Sequence, residues 1–283
     1  MPLNEGPALT AAAAILDRHH FCNRGGKDIL PLYRDSAAKE PNILPGLLDL
    51  LSGEYGKAVS PEDLAGYVYT LLAQPEYTSR FARELGNRQV RVPLTRDGKL
   101  FTKAAEFGKT LLWLHTYGER LTAKDRPAGE VPEGKAKCMV GVSESEELYP
   151  NEFSYDEGSR TLHVGDGKFG PVEPEVFEFE VSGLKVVKSW LGYRMKERSG
   201  KKSSPLDDIR SQSWPRQFTR ELLELLWVLE KTVEGHPAQK KILDAVLEGK
   251  LFEANQLPAV PDAARQAPKV MRAVDSNQAE LEF

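Results

Sequence analysis

The residues most able to do chemistry in this chain are scattered, and each familiar motif fails on its context. Gly165-Asp166-Gly167-Lys168-Phe169-Gly170 spells G-x-G-x-x-G. That pattern grips a pyrophosphate only when a helix N-terminus follows the glycines and offers its free N–H groups. Here Pro171 and Pro174 follow, so the expectation is a tight turn between strands. Gly108-Lys109-Thr110 has the ending of a P-loop, but the glycine required five residues earlier is Lys103, and the segment falls inside a helical pattern. His19, His20 and Cys22 are metal-ligand types, yet no second cluster completes a tetrahedral set, because Cys138 is isolated and His115, His163 and His236 are dispersed. There is no G-x-S-x-G, and no Asn-Pro-Pro or Asp-Pro-Pro followed by an aromatic residue, the grip of an adenine amino-methyltransferase on its flipped base. Glu144, Glu146, Glu147, Glu152, Asp156 and Glu157 form an acidic block with no base in it, read as a solvated loop rather than a chelate. No catalytic residue, cofactor or metal site is assigned.

What remains is the stretch 183–220. Ten bases stand against three acids over 184–220, and Trp190, Tyr193 and Trp214 are interleaved with them. Lysine and arginine neutralise phosphates, and arginine can also read guanine through two hydrogen bonds. The candidate DNA contacts are Lys185, Lys188, Arg194, Lys196, Arg198, Lys201, Lys202, Arg210 and Arg216. Arg194 to Lys202 fit phosphate contacts on a helix end running into a loop. Arg210 and Arg216, flanking Trp214, are candidates to read a base, and Tyr193 and Trp214 are the candidate base-contact aromatics, Trp214 fitting a core position better. The ordinary alternative is a basic helix face with core tryptophans.

Composition bounds the rest. The 283 residues carry a net charge of −4, with 40% hydrophobic and 28% charged residues, which suits a globular chain with a real core in one large or two small domains. The charge is polarised along the chain, and that matters more for a polyanionic partner than the sum does. Two distant cysteines suit a reducing cytoplasm. No apolar run approaches the ~18 residues of a membrane span, and no basic region precedes Ala11–Ile15 to make a secretory signal.

These residues need elements to hold them. Ser60-Pro61-Glu62-Asp63 is a helix start with a capping-box pattern, followed by Leu64, Tyr67, Val68, Leu71 and Leu72 on one face. Pro75 closes that helix. A second helix is expected over Pro75–Leu85, an extended piece at Val90–Pro93, and a third helix over about Lys99–Tyr117. Residues 122–136 read as a linker or long loop. Lys137–Val142, Thr161–Val164 and Val176–Val181 read as strands, and Val186–Met195 as a helix. Ser199–Pro215 reads as a loop. Phe218 to Leu229 marks an amphipathic helix, Ile242–Leu247 another, and 259–283 a disordered tail. The fold class is α+β: a helical N-terminal half followed by a small mixed or antiparallel sheet with flanking helices.

Four segments resemble the C-terminal part of type ISP restriction–modification enzymes, relatives of the single-chain type IIG enzymes. His19-His20-Phe21, Leu30 to Asp35 and Pro41 to Leu48 resemble that family's bridge out of its methyltransferase domain. Asp63 to Tyr69, Gln74-Pro75-Glu76-Tyr77 and Val90 to Leu94 resemble its helical tyrosine-rich stretch and the short arginine–proline close. Phe179–Trp190 resembles its glycine–tryptophan segment, with Leu184 where an aromatic residue is commoner. Trp214-Pro215 and the leucine-rich helix after it resemble the domain's end. The likeness covers about 15–260.

The resemblance implies recognition without chemistry. The family joins a nuclease, a translocating ATPase, an N6-adenine methyltransferase and a target-recognition region, and only the last is recognisable here. S-adenosylmethionine, ATP and Mg²⁺ are then expected only in catalytic parts elsewhere, in cis or in trans, the chain being either a fragment or a separate specificity subunit. The implied partners are double-stranded DNA and those methyltransferase, helicase and nuclease domains, with no membrane. The organisation expected is a bridge segment (1–58), a helical part (59–121), the linker (122–136), an α+β recognition part (137–258) and the tail (259–283). The competing class is a protein-interaction scaffold subunit with no direct DNA contact. Segments such as Ile29–Leu32 and Ile43–Leu51 are too short for a core of their own and must pack on a methyltransferase body or on the rest of this chain.

Overall fold

A computed structural model describes residues 6–14, 16, 29–87, 89–196 and 213–262. The helical half begins with α1 (Leu47–Tyr55) and α2 (Pro61–Leu72). The start of α2 is the capping box expected from the sequence: the Asp63 amide donates to Ser60 Oγ at 3.0 Å, and the Ser60 amide donates to the Asp63 carboxylate at 3.1 Å. Leu64, Tyr67, Leu71 and Leu72 are buried as one face. The expected helix over Pro75–Leu85 is two short pieces, α3 (Pro75–Arg80) and α4 (Ala82–Gly86), parted at Phe81, where the backbone leaves helical geometry (φ −108°, ψ 23°) and the ring packs on Tyr77. Asp97 caps α5 (Gly98–His115), accepting from the amides of Lys99 and Leu100.

Two glycines let α2 and α5 touch backbone to backbone. A Cβ on Gly108 would lie 1.8 Å from the Gly66 carbonyl oxygen, and one on Gly66 would lie 2.4 Å from that of Ala105. Thr70 reaches across the same contact to the Ala104 carbonyl at 2.6 Å, and Lys109 to Asp63 at 2.8 Å. The pattern that imitates a P-loop is therefore a helix-crossing device, with Gly108 and Lys109 both turned to α2.

Between the helices, residues 91–95 run extended and are held by tyrosines instead of a sheet. Tyr77 donates to the Arg91 carbonyl, Tyr67 to that of Pro93 at 2.6 Å and Tyr55 to that of Thr95 at 2.5 Å. The Thr95 amide returns a bond to the Tyr67 hydroxyl at 3.1 Å. Each ring fills the core while its hydroxyl satisfies a backbone group that a sheet would otherwise pair.

The second half holds β1 (Lys137–Val140), β2 (Phe153–Asp156), β3 (Thr161–Val164) and β4 (Gly167–Gly170), antiparallel in the order β1-β4-β3-β2. Leu162, Val164 and Phe169 face inward, with Leu162 opposite Phe169. The G-x-G-x-x-G run is the β3–β4 turn, with Gly165 at φ +57°. The strand expected over Val176–Val181 is mostly absent. Pro174 sits at the first position of a helical turn, α6 (Pro174–Phe177), and Val176 and Phe177 are buried from that turn. Only Glu180–Val181 (β5) pairs, with Leu184–Lys185 (β6). Then come α7 (Val186–Gly192) and α8 (Arg216–Glu248).

Helix α8 replaces the two separate helices expected near 218–229 and 242–247. It is 33 residues long and runs through Pro237 without ending, which makes it about 50 Å in length. Leu222, Leu225, Leu226 and Leu229 lie in the sheet-side core with Leu162, Phe169, Val187 and Trp214. Ile242, Leu243 and Val246 lie in the helical-side core with Leu51, Tyr67, Leu71 and Phe101. The short apolar segments at Ile43–Leu51 pack on this second core, which also takes Ala8 and Leu9 of the N-terminal stretch. The Ala8 amide bonds the Leu72 carbonyl at 3.0 Å.

A polar chain crosses the junction. The Tyr69 hydroxyl lies 2.6 Å from His115 Nδ1, His115 Nε2 lies 2.8 Å from Thr232 Oγ1, and Thr232 donates to the Val228 carbonyl at 2.7 Å. With the Thr232 proton so committed, Nε2–H donates to Thr232 and Nδ1 accepts from Tyr69. Burial pushes the His115 pKa down to about 4, so the ring stays neutral at physiological pH and can accept and donate at once.

The glycine crossing gives a contrast of sign. Gly108→Ala should cost on the order of 1–3 kcal/mol as α2 and α5 are forced apart. Gly53→Ala, exposed in α1 with open space at its Cβ position, should instead add up to about 1 kcal/mol. Urea denaturation of the two variants checks this; equal effects would mean that the backbone contact is not close.

Candidate nucleic-acid interface

The β5–β6 hairpin, turning at Ser182 and Gly183 with φ +50° and +83°, delivers the first candidate bases. Lys185 and Lys188 converge on acids from the preceding turn. Lys185 Nζ lies 2.9 Å from Glu180 and 3.6 Å from Glu178, and Lys188 Nζ lies 2.5 Å from Glu178 and 4.8 Å above the Phe177 ring. The Lys188 hydrogen bond holds the Glu178 carboxyl below its usual range, and the bond to Glu180 raises Lys185. Both lysines are partly exposed, and such pairs are worth only about 0–1 kcal/mol, so a phosphate can compete for either.

Arg194 is of another kind. Its guanidinium lies 3.7 Å from the centre of the Trp190 ring and 4.8 Å from that of Phe218. It also bonds Glu221 and the Trp190 carbonyl, each at 3.2 Å. Trp190, Trp214 and Phe218 meet edge to face around it. Trp214 is 1% exposed and its indole N–H donates to Thr219 at 3.0 Å. The structure thus puts Trp214 in the core, where its ring has no open face for a base. Tyr193, at the end of α7, is 50% exposed.

All six acids of the acidic block are exposed, as a solvated segment should be, and the chain there lies against the basic stretch. Tyr149 donates to the Arg194 carbonyl at 2.9 Å, the Lys196 amide to the Pro150 carbonyl at 2.8 Å, and Arg216 pairs with Glu144 at 2.6 Å. Arg220 pairs with Glu224 on its own helix. Sequence reading missed the Tyr149, Pro150 and Glu144 partners because each comes from another element. Of the nine candidate bases, Lys185, Lys188, Lys196 and Arg216 stand on the surface and Arg194 is locked in the aromatic box. Arg198, Lys201, Lys202 and Arg210 lie outside the described residues, as do His19, His20 and Cys22.

Among the described residues no group of three His, Cys, Asp or Glu side chains could hold a metal ion. Cys138 is half-buried, and burial raises its thiol pKa, the opposite of what a nucleophile needs. No described helix is long and apolar enough to cross a membrane.

The fold and surface define an α+β module in which one long helix joins a helical core to a small antiparallel sheet. The chain belongs to the Type ISP C-terminal specificity domain family, whose model matches residues 1–225. Three solved structures are similar in part. The ATP-dependent Type ISP restriction–modification enzyme LlaBIII bound to DNA is 15% identical, with a TM-score of 0.45 over 69% of this chain and 12% of that one. A nuclease-deletion mutant of the Type ISP enzyme LlaGI in complex with a DNA substrate mimic is 17% identical, with a TM-score of 0.42 over 70% and 17%. The DrdV–DNA complex is 19% identical, with a TM-score of 0.49 over 79% and 21%. The chain therefore spans between about an eighth and a fifth of those proteins, and the family assignment rests on the match over 1–225. No curated protein sequence matches it.

The geometry separates Arg194 from its neighbours. Arg194→Gln should lower stability by about 1–2 kcal/mol through lost stacking and packing, whereas Lys185→Ala should stay within about 0.5 kcal/mol of wild type. Chemical denaturation of both variants tests this, and an Arg194→Gln protein as stable as wild type would contradict the structural role.

Proposed function

We propose that the chain recognises a DNA sequence for a restriction–modification enzyme. It holds double-stranded target so that an N6-adenine methyltransferase and a nuclease located elsewhere can act on it. The observation that carries this reading is the specificity-domain match over residues 1–225. On this reading S-adenosylmethionine, ATP and Mg²⁺ serve the catalytic parts, and the chain contributes no catalytic residue. The compartment is the cytoplasm, where such an enzyme meets DNA.

The mechanism divides the work between two kinds of contact. Exposed cations fix register on the phosphates, and a few side chains on neighbouring loops read base edges. Lys185, Lys188 and Lys196 are the surface cations suited to the first task, joined by Arg198, Lys201 and Lys202. Tyr193, Arg210 and Arg216 remain candidates for the second. Glu144, Glu178 and Glu180 hold part of this set in ion pairs, and DNA must displace them. That exchange costs little for a phosphate in register and disfavours loose binding. With the target so held, a methyltransferase can flip its adenine out of the stack.

The same ion pairs favour the second reading, a protein-interaction scaffold with no DNA contact, because they neutralise much of the charge locally. Salt titration separates the two. Each phosphate contact contributes about 0.9 to the slope of log affinity against log salt. Replacing both Lys201 and Lys202 with alanine should weaken binding to cognate and scrambled duplexes alike and lower the slope by roughly 2. Wild-type protein without measurable duplex affinity at low salt would favour the scaffold.

A further inference from the structure

A cleft on the helical half lies between the end of α1 and the start of α5. It is a shallow depression of about 730 Å³, lined among others by Glu54, Tyr55, Lys57, Arg96, Lys99 and Lys103. Its floor is rigid. A Cβ on Gly98 would sit 3.0 Å from the Tyr55 side chain, and Arg96 grips Glu54 through two bonds of 2.7 and 2.9 Å. Its rim is cationic. Lys57, Lys99 and Lys103 are exposed and have no ion-pair partner among the described residues, unlike Lys185, Lys188 and Arg216. Asp97 Oδ1 is committed to capping α5 through the amides of Lys99 and Leu100.

Local stability does not ask for Lys99 or Lys103. A cation in the first turn of a helix opposes the macrodipole, and Lys99 and Lys103 are like charges four residues apart on one helix, a destabilising arrangement. α5 has no acidic residue in its first turn, and the N-cap Asp97 is one carboxylate beside two lysines. Where a sequence breaks a local rule without a structural gain, function is the usual reason. The cleft is wide, without a buried polar group aimed into it, which suits an extended polyanion on flexible lysines better than a small anion held in fixed geometry.

We infer that this cleft is a second phosphate-backbone contact, placing the helical half on the DNA beside the sheet half. The inference rests on the recognition reading above. Its contacts are to phosphate, so they add affinity at every sequence and no preference of their own.

The test is a salt titration of the full chain on a cognate and a scrambled duplex. It compares wild type, the triple variant Lys57→Ala/Lys99→Ala/Lys103→Ala and a control triple, Lys39→Ala/Lys124→Ala/Lys241→Ala, whose exposed lysines lie outside the cleft. The cleft variant is expected to lose up to about 2.7 in slope, with the ratio of cognate to scrambled affinity unchanged and its urea midpoint no lower than wild type. The control should keep the wild-type slope. Sequence-preferring wild-type binding with an unmoved slope in the cleft variant overturns the cleft alone. If that variant then also loses assembly with a methyltransferase-bearing partner, the surface docks protein. Wild type that binds no duplex removes the recognition reading and the cleft together.

Discussion

Helix α8 carries three buried polar side chains in its middle, and each docks a different part of the chain. The Glu230 carboxylate accepts the amides of Lys135 and Ala136 at 2.7 and 3.0 Å, fixing the point where the chain enters the sheet. Thr232 takes the His115 bond at the end of α5. Gln239 donates to the carbonyls of Thr70 and Ala73, both at 3.1 Å, closing the end of α2. Apolar burial alone would let a 33-residue helix slide along both cores. These directional bonds set its register, and a buried carboxylate or amide that loses its partners is costly. Gly134 belongs to the same device, because a Cβ there would lie 2.1 Å from the Glu230 carboxylate. Because the sheet half and the helical half both hang on this one helix, the surfaces they present keep a fixed relation.

The tyrosine-rich stretch that resembles the family takes its meaning from this arrangement. Tyr67 and Tyr77, with Tyr55, satisfy the extended backbone at 91–95, and Tyr69 anchors the His115 relay. These residues are scaffold, not recognition. A similar division runs through the basic stretch, where Arg194 and Trp214 build an aromatic box while Lys185, Lys188, Lys196 and Arg216 remain at the surface.

What the sequence disclosed was local. The capping box at Ser60–Asp63, the buried face of α2 and the β3–β4 turn depend on residues a few positions apart, and they stand as read. The continuity of α8 was hidden because Pro237 is an ordinary stop signal, overridden here by burial of the helix on both sides of it. β2 and β4 escaped notice because each is four residues long, β2 is half exposed, and β4 begins and ends on glycine. The site was legible only as a composition. That Lys188 meets Glu178 requires the β5–β6 hairpin, and that Arg216 meets Glu144 requires the sheet to lie against α8. The cleft lysines left one trace, two cations near the start of α5 where acids are favoured.

The central claim is that this chain reads a DNA sequence without catalytic help. Selection of bound duplexes from a random pool by the whole chain, at physiological salt and with no other protein present, tests it most directly. The account predicts enrichment of one short motif over successive rounds. A pool that stays flat while binding still responds to salt would contradict it.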